Sequence, residues 1–270
     1  MRIGIHASTP DTAQVVQLCR EVGVRDVILS AREFSAEDPR GDIERAVASL
    51  GNQGISVGAM IAPNPSREAV LGQAEEEVAS LCARLRAIGE AGIQVALFYP
   101  VDRFRNYLAE YHHTKPPLEV MPGEPGWEGI VAFFRRVCDV AEAADLRLAC
   151  HVFAVEIMQR IIRETSSPNL GITYCTGMYQ FGNDPYAGVE LFGIERIFLC
   201  HARNMRRHGP GRQGHEEVPL DAGDIDMGRY LRVLADAGYQ GLVAPEHLGA
   251  GGSLKDAVAY LQALLAAIQK

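Results

Sequence analysis

The chain has 270 residues, a formal net charge of −8 and 47% hydrophobic residues, which fits one large α/β domain or two small ones, with a substantial core. The acidic balance argues against a nucleic-acid partner, since neutralising phosphates needs a basic patch. No apolar run approaches the roughly 20 residues of a membrane helix, and MRIGIHAST at residues 1–9 reads as a strand, not a secretory leader.

Strand candidates follow one another along the chain at Arg2–His6, Asp26–Ser30, Ile55–Ile61, Ile93–Tyr99, Leu146–His151, Leu170–Cys175, Arg196–His201 and Gly241–Glu246. Amphipathic helices are expected between them, including Asp11–Val22, Glu68–Glu90, Trp127–Ala144, Met227–Ala237 and Leu254–Gln269. Thr9-Pro10 and Asp226 read as helix starts. EVGV, NQGI, EAGI and DAGYQG each place a Gly where a helix stops and a strand follows. Eight β/α units predict a single (β/α)8 TIM barrel over residues 1–270, with an open doubly wound sheet as the competing topology. Two connections are long: Pro100–Gly126, with Tyr107, Tyr111, His112, His113 and Lys115, and Ala202–Ile225, with Arg203, Asn204, Arg206, Arg207, His208, Arg212 and His215. In a barrel both follow a strand and lie on the catalytic face.

The cysteines are Cys19, Cys82, Cys138, Cys150, Cys175 and Cys200. They have no paired short spacing, which fits a reduced, cytoplasmic protein. Strand alternation turns Cys150 and Cys200 away from the neighbouring strand-end histidines. Only Cys175 ends a strand itself.

Strands five to eight each close on a metal-seeking residue: His151, Cys175, His201 and Glu246, the last followed by His247. Any one of these alone reads more simply as a packed or hydrogen-bonded residue. Together at successive strand ends they predict one site at the mouth of a barrel. Nitrogen, sulfur and oxygen donors suit one borderline divalent ion: manganese first, with cobalt, iron or zinc as alternatives. On a six-coordinate ion four such ligands leave two positions, enough for vicinal oxygens of a sugar or sugar acid. His6 and Tyr99, at the ends of strands one and four, are candidates for the substrate wall. Glu33, Asp102 and Glu156 are carboxylates with no clear strand-end place.

GITYCTG at 171–177, HARNM at 201–205, EEVPLDAGDIDMGRYLRVLADAGYQG at 216–241 and PEH at 245–247 together resemble mannonate dehydratases, which belong to the xylose-isomerase-like TIM-barrel superfamily. The resemblance covers the C-terminal half, from about His151. It implies dehydration of a sugar acid, from a mannonate-type aldonate to a 2-keto-3-deoxy acid. It also implies a His, Cys, His and acid metal set at His151, Cys175, His201 and Glu246, and an acid/base at His247. Arg203 and Asn204 are then candidates to hold the substrate carboxylate or hydroxyls. Two departures stand out. The family's Asp-His pair is Glu246-His247 here, and its catalytic Tyr, expected soon after that His, is missing from LGAGGSLKD at 248–256. A metal-dependent sugar isomerase or epimerase, and a barrel that binds a sugar acid or metal without turnover, are the alternatives. By analogy with the superfamily a homo-oligomer acting on a small molecule is expected.

Overall fold

A computed structural model describes residues 1–34, 37–99, 120, 122–151, 155–177, 184–208 and 215–269, with Glu33 and His215 described by their backbone alone. Most of the Pro100–Gly126 connection, Asp102 included, and residues 209–214 of the second connection lie outside the described residues.

Eight parallel strands close on themselves: β1 (Arg2–Ala7), β2 (Asp26–Ser30), β3 (Ser56–Ile61), β4 (Val95–Phe98), β5 (Arg147–His151), β6 (Leu170–Cys175), β7 (Ile197–Ala202) and β10 (Leu242–Pro245). β1 pairs with β2 on one side and with β10 on the other, so the sheet has no edge and the open doubly wound alternative is excluded. All eight expected strands form. Their ends shift by a residue or two, and β10 stops at Pro245, one residue before Glu246.

Alternation of side chains builds two apolar layers. Ile28, Ala59, Leu97, Ala149, Leu199 and Ala244 fill the barrel. Their strand neighbours, among them Val27, Leu29, Leu148, Cys150, Ile172, Tyr174, Cys200 and Val243, pack outward with the helices. Near-continuous burial along β6 and β7 is what a parallel strand covered on both faces requires.

The helices are α1 (Thr12–Val22), α2 (Pro39–Gly51), α3 (Arg67–Val70), α4 (Glu75–Glu90), α5 (Trp127–Ala143), α6 (Val155–Thr165), α7 (Gly188–Phe192), α8 (Met227–Asp236) and α9 (Leu254–Ile268). Asp11, rather than the expected Thr9-Pro10, caps α1: its carboxylate accepts from the Ala13 and Gln14 amides. Asp226 caps α8 as expected, accepting from the Arg229 amide. The single helix expected over Glu68–Glu90 is broken into α3 and α4, with Gly72 in the left-handed region between them. Among the described residues no helix is long and apolar enough to cross a membrane.

The second long connection is not plain loop. It folds into an antiparallel hairpin, β8 (Asn204–Arg207) against β9 (His215–Val218), standing over the mouth of the barrel just after β7.

Candidate metal centre

Strand register brings the four metal-seeking residues together. On β5, Ala149 faces the interior and Cys150 the helices, so His151 faces inward again. The same two-residue step carries β7 from Leu199 past Cys200 to His201, and β10 from Ala244 past Pro245 to Glu246. Cys175 pairs directly with His201, and Ala244 also pairs with His201 from the other side. The Glu246 amide still donates to the Ala202 carbonyl at 2.9 Å, which extends the barrel ladder one residue beyond β10.

One oxygen lies among the other three donors. Glu246 Oε2 is 3.3 Å from His201 Nδ1, 3.6 Å from Cys175 Sγ and 4.0 Å from His151 Nε2. One ligand atom from each of the four residues lies within 4.8 Å of all the others. Donors bound at 2.0–2.3 Å to a common ion sit about 3–4.5 Å apart, so the set is close to coordination geometry without rearranging the backbone. His151, Cys175 and His201 are buried, and Glu246 is 14% exposed. Three neutral-capable donors and one carboxylate, closed off below by Ala149, Leu199 and Ala244, fit a divalent cation with its open side toward the mouth.

The electrostatics agree with this reading. Burial alone would raise the Glu246 carboxyl, but the His201 and His151 imidazoles and Arg203 outweigh it and hold it well below the usual carboxylate range. Burial, and then the Glu246 charge, push the Cys175 thiol far up. Without a cation the thiol therefore keeps its proton and turns it toward Glu246. Burial, followed by the charge of His201, lowers His6 to about 3.

His6 and Tyr99 reach the site by packing on two of its candidate ligands. His6 Nε2 is 3.1 Å from His201 Nε2, and the Tyr99 ring stacks on His151 at 5.2 Å between centroids. His201 thus turns Nδ1 to the cluster and Nε2 to His6.

Arg203 is buried, and its guanidinium meets the Glu217 carboxylate of β9. Two motifs interlock around it. Thr176 Oγ1 accepts from the Arg203 amide at 3.0 Å and donates to the Arg203 carbonyl at 2.7 Å. Any Cβ at residue 177 would strike the Arg203 side chain, so Gly177 is needed to admit it.

Asn204 corrects the sequence-based expectation of a substrate contact. Its amide donates to the Leu220 and Ile225 carbonyls at 2.7 and 2.9 Å, and its oxygen accepts from the Met205 and Ile225 amides at 2.8 and 3.0 Å. An amide with both donors and both acceptor sites engaged has no capacity left for a ligand. Asn204 holds the hairpin to the segment that leads into α8.

Simple alternation would turn His247 away from Glu246. The backbone prevents this, because His247 adopts φ +49, the left-handed region rarely used by a residue with a side chain. Its Nε2 comes to 3.8 Å from Glu246 Oε1 and its Nδ1 to 3.3 Å from Glu217 Oε1, with the ring 48% exposed. Glu156 is exposed on α6. Glu217 escaped the sequence reading because β8 and β9 are too short for a convincing period-two pattern. Its one visible signal was a carboxylate in a long connection that starts directly after a ligand strand.

A family pattern described as the xylose isomerase-like TIM barrel matches residues 16–264. The chain belongs to that family. A mannonate dehydratase of Streptococcus agalactiae is 28% identical over an alignment 141 positions long that covers 45% of this chain. The aligned stretch spans only 40% of that relative's length. Among solved structures, a mannonate dehydratase from Streptococcus suis serotype 2 superposes with a TM-score of 0.76 at 18% identity, over 100% of this chain and 95% of the other. A D-psicose 3-epimerase from Clostridium cellulolyticum H10 does so with a TM-score of 0.66 at 15% identity, over 100% and 98% of the two chains. At such identities the structural likeness is one of fold, and members with different chemistry share it.

Proposed function

We propose that this barrel is a metal-dependent hydro-lyase that removes water from a sugar acid of the mannonate type. One observation carries the reading: His151, Cys175, His201 and Glu246 converge at the mouth of the barrel with His247 turned in beside them by its left-handed backbone. The sequence similarity to mannonate dehydratases, confined to part of each chain, supports the same choice. Manganese is the expected ion, held by those four residues. Bound there, it would polarise the substrate's carboxylate or an adjacent oxygen and offset the negative charge that develops on proton loss.

The chain's own groups supply the rest. Dehydration takes a proton from the carbon beside the carboxylate and delivers one to the departing β-hydroxyl. We assign the proton transfer to His247 Nε2, which lies 3.8 Å from Glu246 Oε1 while Nδ1 lies 3.3 Å from Glu217 Oε1. His6 and Tyr99 back His201 and His151 and wall the space a substrate would enter. Arg203 contributes positive charge beneath it, tempered by Glu217. Replacement of the family's Asp by Glu246 and the absence of a Tyr shortly after His247 keep sugar isomerisation or epimerisation as the second reading.

A panel of aldonates and ketoses, incubated with the manganese-loaded protein, tests the proposal. Loss of water from an aldonate, giving a 2-keto-3-deoxy acid that traps with semicarbazide, is the expected result. Conversion of a ketose at constant mass would assign isomerase or epimerase chemistry instead. No turnover of any member, despite a bound ion, would leave a binding barrel.

A further inference from the structure

We infer that Glu217 is a positioning residue for His247, fixing its imidazole so that the proton sits on Nδ1 and Nε2 faces the metal-ligand cluster. The inference deepens the function proposed above and rests on His247 as its acid/base.

The geometry is that of a carboxylate behind a histidine. Glu217 Oε1 is 3.3 Å from His247 Nδ1, while Nε2 is 3.8 Å from Glu246 Oε1. A free neutral imidazole prefers its proton on Nε2. A carboxylate is acceptor-only when ionised, so one standing 3.3 Å from Nδ1 favours the tautomer with the proton there and, with it, one orientation of the ring.

Glu217 is itself held from two directions. The buried Arg203 guanidinium binds the same carboxylate and fixes its rotamer. Beneath it, the loop after His247 lies hard against the β9 backbone. A Cβ at residue 249 would run into the Glu217 carbonyl, and Gly249 has φ +67, so only glycine permits this approach. The hairpin and the β10 loop are thereby joined at the point where Glu217 meets His247. The left-handed backbone of His247, costly for a residue with a side chain, gains its purpose here: it places one ring between two carboxylates.

The competing account is that Glu217 only neutralises Arg203. Metal-free protein carrying ring-15N histidine, observed by long-range 1H–15N correlation at mildly alkaline pH, separates the two, with His247→Gln assigning the signal. We expect Nδ1–H for His247 in the parent chain and Nε2–H in Glu217→Leu. An Nε2–H parent, or Nδ1–H in both proteins, would overturn the inference. On an aldonate that turns over, Glu217→Leu should lose about a hundredfold or more in kcat, with KM and metal content nearly unchanged and partial recovery in Glu217→Asp. If the Leu variant does not fold, Glu217→Gln replaces it in the kinetic test, and a kcat equal to the parent's would overturn the inference. Absence of turnover in the parent would sink the dehydratase reading but not this one, because the tautomer is read without substrate or metal.

Discussion

His201, as a proposed metal ligand, is already oriented by its neighbours. Its Nδ1 faces Glu246, so as a ligand it must carry its remaining proton on Nε2, which it can donate to His6 Nε2 at 3.1 Å. His6 is kept neutral by burial and by the charge of His201. Removing a partner behind a metal-binding histidine lowers affinity about 10–100-fold. His6→Phe is therefore expected to weaken manganese binding by that factor while the four ligands remain, and isothermal calorimetry would show it. A full-affinity His6→Phe protein would mean that His6 is wall alone.

The Cys175 thiol sets a pH dependence. Its folded-state pKa is raised by burial and by Glu246, so the thiol is protonated at neutral pH, and an ion that binds as thiolate must displace that proton. Affinity for the ion should therefore rise with pH, by about tenfold per pH unit for one displaced proton, and fall as the solution is acidified. Calorimetric titrations in buffers of different ionisation enthalpy would count the protons released. Cys175→Ser should abolish that release.

The β8–β9 hairpin is anchored by one side chain as well as by its own ladder. Asn204 supplies four hydrogen bonds, three of which tie β8 to the Leu220 and Ile225 backbone ahead of α8. Net contributions of about 0.5–1.5 kcal/mol for each of the four bonds make Asn204→Ala costly by roughly 2–6 kcal/mol. Urea unfolding monitored by circular dichroism would measure it. A substrate-binding role would instead leave stability nearly intact and raise KM alone. The same hairpin explains why the HARNM and CTG stretches occur together: Thr176 and Gly177 at the end of β6 lock the Arg203 backbone and admit its side chain, and Arg203 in turn holds Glu217.

For the barrel as a whole, the metal-ligand cluster joins four of the eight strands where they end. An ion that binds these four residues together binds the folded state and not the unfolded chain. At a hundred times its dissociation constant it adds about 2.7 kcal/mol. Thermal unfolding should move upward on addition of manganese and return with chelator, and the shift should vanish in His201→Ala. An equal shift in both proteins would place the ion elsewhere.

What the sequence by itself determined is local and periodic. Strand alternation, helix stops and the residue type at each strand end made the barrel, its order and the His151, Cys175, His201 and Glu246 set legible, because a two-residue period fixes facing for as long as the strand stays regular. Where regularity ended, so did the reading. The turn of His247 toward Glu246 hangs on one positive φ, Asn204 on carbonyls 16 and 21 residues away, and Glu217 on a hairpin whose strands gain their meaning only from what lies beneath them. Only the closed tertiary structure decides these, since hydrogen-bond capacity and direction are set by neighbours distant in the chain.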